Sequence, residues 1–198
     1  DPKARGARST WPGIAVQVAR LEREQGADAE PRLREVVKFL DGTAPVDLNS
    51  AVMVLILADA WAEIGIGQEA RGEDPRPAWE RARTFQEGVI ARFGGLADAQ
   101  AARGSLLGRW GAYEAAHGGD PRALLRQAEK DLARVAGLGR LPFHLRLAEF
   151  LARAGRGAEA LDVLAQVRTR HPGATAACAR IARPLRETWA KNPAESGA

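Results

Sequence analysis

Glu69-Ala70-Arg71-Gly72-Glu73-Asp74-Pro75-Arg76 returns as Ala115-Ala116-His117-Gly118-Gly119-Asp120-Pro121-Arg122, which sets Asp74 and Asp120 46 residues apart. In each copy a Gly can end one helix in the left-handed conformation, and Asp-Pro can open the next, Asp as acceptor and Pro at the first helical position. One period earlier stands Asp28, preceded by Gly26 where the later copies carry Gly72 and Gly118. Ala19, Gly65 and Gly111 fall in register ahead of the phrase, and Val36, Ala82 and Ala128 fall in register behind it. Gly inside a helix costs about 1 kcal/mol relative to Ala, so a packing reason is expected for Gly65 and Gly111. The spacing predicts one helix pair per period, with small residues letting the two axes approach closely.

Read outward from this phrase, Pro and Gly punctuate apolar periodic segments along the whole chain. Helices are predicted over about Pro12 to Gln25 (capped by Ser9 or Thr10), Asp28 to Asp41 (stopped by Gly42), Asp47 to Arg71, and Asp74 to Gly94. Five more follow over Leu96 to His117, Asp120 to Gly137, Pro142 to Ala154, Ala158 to Arg170 and Thr175 to Ala190. Residues 1–11 read as an N-terminal extension or linker, 12–173 as about four helix pairs, 174–191 as a capping helix and 192–198 as a tail. A fourth pair returns after a shorter gap, with Ala148 and Ala160 in the small positions.

Composition agrees with this reading. The 198 residues include 40 Ala but only 11 Val, 6 Ile and 6 Thr, a ratio that favours an all-α fold over a sheet. The lone Cys178 excludes an internal disulfide and a multi-cysteine metal site. The longest strongly apolar run, Ala51 to Ala58, is short of the roughly 18 residues that span a bilayer, so no membrane span is expected. The chain opens at Asp1 with no Met and is expected to belong to something longer; a cytoplasmic location is expected for it.

Net charge is +4, which invites a nucleic-acid reading. Of the 29 basic residues 25 are Arg, a usage that a GC-rich genome also produces, so nucleic-acid binding is not the expectation. The distribution says more: residues 122–191 carry 14 basic and 6 acidic groups, while residues 1–121 carry 15 and 18.

The residues resemble the tetratricopeptide repeat (TPR) family. Trp61, Ile64, Gly65 and Ala82 fit its pattern in the second unit, and Leu107, Trp110, Gly111 and Ala128 fit it in the third. The fourth is the closest match, with Leu147, Ala148, Leu151, Gly155, Ala160, Leu164 and Pro172 at the spacing of a 34-residue unit; the first three have longer helix pairs. The resemblance implies an α-solenoid of antiparallel helix pairs with a C-terminal capping helix. The phrase Gly-x-Asp-Pro-Arg also looks like the repeat tails of bacterial, myxobacterial-type serine/threonine protein kinases.

No catalytic constellation is present in the sequence. His117, His144 and His171 lack the spacing of a helical metal pair, and the kinase signatures are missing, so neither enzyme activity nor a cofactor or metal is expected. Trp61 and Trp110 read as core, Trp79 and Trp189 as packing between units, and Trp11 as a staple or the footprint of a neighbouring segment. Carrying the family's groove positions onto this chain gives Arg20, Arg23, Glu63, Ile66, Arg109, Ala112, Arg146, Glu149 and Arg153 as a concave, partner-binding face. The expectation is a non-catalytic protein–protein interaction or scaffold domain, a regulatory segment of a larger bacterial protein, whose partner is acidic or phosphorylated. The alternative is a regulatory domain that senses a ligand or peptide in the groove.

Overall fold

A computed structural model of the chain describes the backbone of residues 2–41 and 50–191 and the side chains of 11–41 and 50–184. The described residues are 83% helix, with no strand among them. Among the described residues nine α-helices follow in order: α1 (Pro2–Glu24), α2 (Glu30–Asp41), α3 (Ala51–Ala70), α4 (Arg76–Arg92), α5 (Ala97–Ala116), α6 (Arg122–Ala136), α7 (Leu141–Arg153), α8 (Gly157–Arg170) and α9 (Thr175–Lys191). A single 3₁₀ turn at Pro172–Ala174 separates the last two.

The 46-residue period governs the backbone to the residue. Helices α1, α3 and α5 end at Glu24, Ala70 and Ala116, and α2, α4 and α6 begin at Glu30, Arg76 and Arg122. Each turn between them is built alike. Gly26, Gly72 and Gly118 take φ of 80°, 75° and 78°, and the next N–H reaches back to the carbonyl five residues earlier, from Ala27 to Glu22, Glu73 to Gln68 and Gly119 to Glu114 at 2.8–2.9 Å. Asp28, Asp74 and Asp120 then accept from the N–H two residues on, at 3.0, 3.1 and 3.0 Å, and cap the following helix. The fourth turn shares the closure, from Arg156 N–H to Leu151 O at 2.9 Å across Gly155, but only residues 154–156 separate its helices, and Ala160 lies nearer the start of α8 than Ala82 does to that of α4, so its small positions lie closer in sequence.

The chain divides into two compact units, Asp1–Ala102 and Arg103–Ala198, with the boundary inside α5. In the first, Ala15, Val16 and Ala19 of α1, Leu33, Val36, Val37 and Leu40 of α2, and Leu57, Ala60 and Ile64 of α3 form one apolar core that Ala78 of α4 joins. Burying a side chain such as Leu33 contributes about 1.5–3 kcal/mol. In the second, Leu107, Ala128, Leu132, Phe150, Leu151 and Ala160 link α5 to α8, and Ala148, Leu164, Val167, Cys178, Ile181 and Ala182 link α7 and α8 to α9.

Three expectations need amendment. The first helix begins at Pro2, so residues 2–11, read as an extension, are helical, and Pro12 lies inside the helix. Pro forfeits one hydrogen bond there, but the Ala and Arg residues before it are strong helix formers, and α1 continues through it. Helix α3 is apolar well beyond Ala58: over an 18-residue window its mean hydropathy is 1.5, long and apolar enough to cross a membrane by length and composition. In the structure it packs against α1, α2 and α4 and carries Asp59 and Glu63 in ion pairs. Trp79, expected between units, is fully buried against Gly65 of its own helix pair. Asp47 and Gly42, expected helix ends, and the 192–198 tail lie outside the described residues, as does the Trp189 side chain.

Candidate functional site

Of the residues assigned to the concave face, Arg20, Arg23 and Glu63 come together in the first unit. Arg20 on α1 donates through Nε to Glu63 Oε1 on α3 at 2.6 Å and through Nη2 to Asp59 Oδ2 at 3.1 Å, while Arg23 pairs with Glu63 Oε2. Glu63 is buried, so its carboxylate is held out of bulk water and compensated by two half-exposed guanidinium groups, one of which also pairs with Asp59. Ile66 stands half-buried one turn further along α3. The charges of these residues are spent on one another and on Asp59.

The cluster borders a cavity of about 360 Å³ at the α1–α2 turn, lined among others by Arg23, Asp28, Glu30, Leu33, Glu63 and Arg71. Arg71 closes its rim, pairing with Glu30 and, at 2.8 Å, with Glu73. Hydrogen bonding to these carboxylates raises the Arg71 pKa above its ordinary value, and the same guanidinium holds Glu73 below the usual carboxylate range.

In the second unit the residues assigned to this face are arranged differently. Arg146, Glu149 and Arg153 project from α7 around a small cleft of about 20 Å³ that Ser105 and Gly108 of α5 also line. Gly108 gives α7 room there, because a Cβ at this position would come within 2.7 Å of Phe150 Cδ2. Arg109, next to Gly108 on α5, is half-buried, and Ala112 is exposed. Glu149 meets only a distant partner, Arg180 at 3.6 Å. Among the described residues neither Arg146 nor Arg153 has a carboxylate partner, so both remain available for an anion, Arg146 half-buried and Arg153 exposed. This difference between units was visible only as excess positive charge after residue 122, because which arginines are neutralised depends on pairings about 40 residues apart in sequence.

A larger cavity, about 660 Å³, lies between α8 and α9, lined by Leu161, Leu164, Ala165, Cys178, Ala179 and Ala182 with Arg168 and Arg183. Each imidazole lies against a backbone carbonyl: His117 Nδ1 is 2.8 Å from Tyr113 O and His144 Nδ1 3.2 Å from Arg140 O, one helical turn back, while His171 Nε2 is 3.3 Å from Gly139 O in a distant loop. Among the described residues no three His, Cys, Asp or Glu side chains converge in a metal-binding group.

An ion pair that sequence reading missed holds α5 to α6. Arg103 Nε and Nη2 donate to Asp131 Oδ2 and Oδ1 at 2.8 and 2.9 Å, and Gln127 adds a bond of 3.0 Å, all with Asp131 buried. One period earlier the two positions are Leu57 and Phe85, so the repeat comparison could have flagged a polar pair in an apolar register. Comparison with protein-family models, curated proteins and solved structures finds no match to the chain.

Proposed function

We propose that this protein is a TPR-like α-solenoid that works as a non-catalytic protein–protein interaction scaffold, with the α5–α7 face of its second unit as the partner-binding surface. The observation that carries the reading is the recurrence of helix ends, turn glycines and Asp caps at 46 residues, the mark of a stacked array and of the binding face such arrays present. Antiparallel pairing within a unit is supported by the order of contacts: a Cβ at Gly104 would meet Leu132 and Ala128 O, and one at Gly111 would meet Leu125. As α5 advances, its partners on α6 recede.

The unpaired Arg146 and Arg153 favour an acidic or phosphorylated segment, since guanidinium groups bind carboxylate and phosphate through two parallel hydrogen bonds. The resemblance of the Gly-x-Asp-Pro-Arg phrase to kinase repeat tails supports a role as a regulatory segment of a larger bacterial protein such as a serine/threonine kinase. The test is fluorescence anisotropy with a labelled Glu-rich peptide, its phosphoserine counterpart and a Lys-rich control. The two anionic peptides should bind, more weakly as salt rises, and Arg146→Glu/Arg153→Glu should remove binding. Equal binding of the Lys-rich control would refute the reading.

The cavity at the α1–α2 turn favours a second reading, a ligand-sensing domain, because its volume falls in the range of small-molecule sites. A thermal shift with small anionic or zwitterionic ligands that Arg71→Ala abolishes would support it over the scaffold.

A further inference from the structure

Helix α6 carries a cation at every fourth residue, Arg122, Arg126, Lys130 and Arg134, and all four are exposed. At that spacing each step turns only about 40° around the helix, so the four share one face. Arg122 is held by Asp120 at 2.9 Å. Among the described residues Arg126, Lys130 and Arg134 have no carboxylate partner.

Like charges four residues apart work against a helix, and the neighbouring repeats relieve them with an acid in the same row. One period earlier the row reads Arg76, Glu80, Thr84 and Gly88, and two periods earlier Glu30, Arg34 and Lys38, where Glu30 and Arg34 pair. The row on α6 has no acid. Its apolar face is spent inside, through Ala128, Leu132, Val135 and Ala136, so core packing holds the cations in place without balancing their charge. Leu138 follows the row. It is 60% exposed, the one large apolar side chain of the second unit left largely in water among the described residues, and exposed Arg140 stands beyond it.

We propose that this face docks on an anionic lipid bilayer, with α6 along the headgroup layer and Leu138 inserted among the acyl chains. A bilayer rich in anionic lipid holds a negative surface potential that attracts clustered Lys and Arg, and an apolar side chain beside the cluster deepens the contact. A nucleic acid would take the cations but leave Leu138 in water, because its phosphates offer charge and no apolar phase. An acidic peptide held at one place would need pockets between the cations. The exposed positions among them are instead Ala123, Ala133 and Gly137, and none of the three cavities described above includes a residue of α6. Arg146 and Arg153 of α7 take no part, so the surface is separate from the proposed peptide site.

Co-sedimentation of the 198-residue chain with vesicles tests this, using phosphatidylcholine alone and equimolar phosphatidylcholine and phosphatidylglycerol, with a duplex DNA oligonucleotide as the competing polyanion. Only the anionic vesicles should bind, less as salt rises. Arg126→Gln/Lys130→Gln/Arg134→Gln should lower the partition about a hundredfold, at about fivefold for each cation, with unchanged helical circular dichroism. Leu138→Ser should lower it severalfold. Lys38→Gln/Arg81→Gln/Arg92→Gln removes the same charge from exposed sites of the first unit and should stay close to wild type. A chain that ignores anionic vesicles, or a first-unit variant that loses as much as the α6 variant, overturns the proposal. So does a Leu138→Ser chain that partitions like wild type, or DNA bound more tightly than the vesicles.

Discussion

Gly65 of α3 lies directly against the indole of Trp79 on α4: a Cβ at residue 65 would sit 2.3 Å from Trp79 Nε1. Gly111 of α5 stands in the same relation to Leu125 of α6, where a Cβ would sit 2.6 Å from Leu125 Cδ2, and both members of this pair are 46 positions beyond those of the first. Both glycines are kept for closeness of approach, against their poor helix propensity.

Gly65→Leu and Gly111→Leu should each destabilise the protein by about 1–3 kcal/mol through overpacking. Gly88, on the exposed side of α4 with open space around its Cα, is the control. Gly88→Ala should stabilise by about 0.5–1 kcal/mol, since only helix propensity is at stake. Urea denaturation of the three variants reads both signs.

The buried pair Arg103–Asp131 gives a prediction of a different kind. Removing one partner strands a charge, so Asp131→Ala should cost about 3–5 kcal/mol. The preceding repeat carries Leu57 and Phe85 at the equivalent positions, so Arg103→Leu/Asp131→Phe should recover most of that loss. A double variant no more stable than Asp131→Ala would show that the two repeats pack these positions differently.

Acid should loosen the helix junctions in a defined order. Hydrogen bonds from Arg32, Arg71 and Arg156 hold Glu22, Glu73 and Glu159 below their ordinary values, and Arg122 holds Asp120 down to about 2 through its side chain and backbone N–H. A carboxylate whose folded pKa is depressed adds stability above its unfolded pKa and loses it as pH falls through the folded one. Melting temperature should therefore be level near neutral pH and decline below about pH 4, with the Asp120 contribution persisting longest. Melts recorded across this range check it, and Arg122→Ala should lower the melting temperature near neutral pH and flatten the acid fall, because Asp120 then loses the largest cause of its depression.

Much of the architecture is legible in sequence because its determinants are local. The Gly and Asp-Pro punctuation marks the junctions within about two residues, and the repeat at Asp28, Asp74 and Asp120 is the one the backbone shows. What faces what is less legible. In sequence Gly65 pairs with Ala82, both small and in register, yet Gly65 meets Trp79, one turn earlier on α4, where a bulky ring fills the space that the glycine leaves. The start of α1 was misplaced because Ser9, Thr10 and Pro12 mimic a helix cap, and nothing local separates a Pro that opens a helix from one the helix runs through. At the candidate site, residue types and helix faces were readable. The neutralisation of Arg20 and Arg23 by Glu63 was not, because it depends on how α1 is seated on α3.

On the proposed function the second unit binds an anionic protein segment through Arg146 and Arg153, while Arg20 and Arg23 of the first unit are held by Glu63 and Asp59. The most direct test is quantitative co-precipitation of binding partners from cell extract by the wild-type chain, Arg146→Glu/Arg153→Glu and Arg20→Glu/Arg23→Glu, with the melting temperature of each. The first variant should lose capture at an almost unchanged melting temperature, whereas the second should melt markedly earlier, because the two introduced carboxylates then crowd Glu63 and Asp59. Undiminished capture by Arg146→Glu/Arg153→Glu at its normal melting temperature would contradict it.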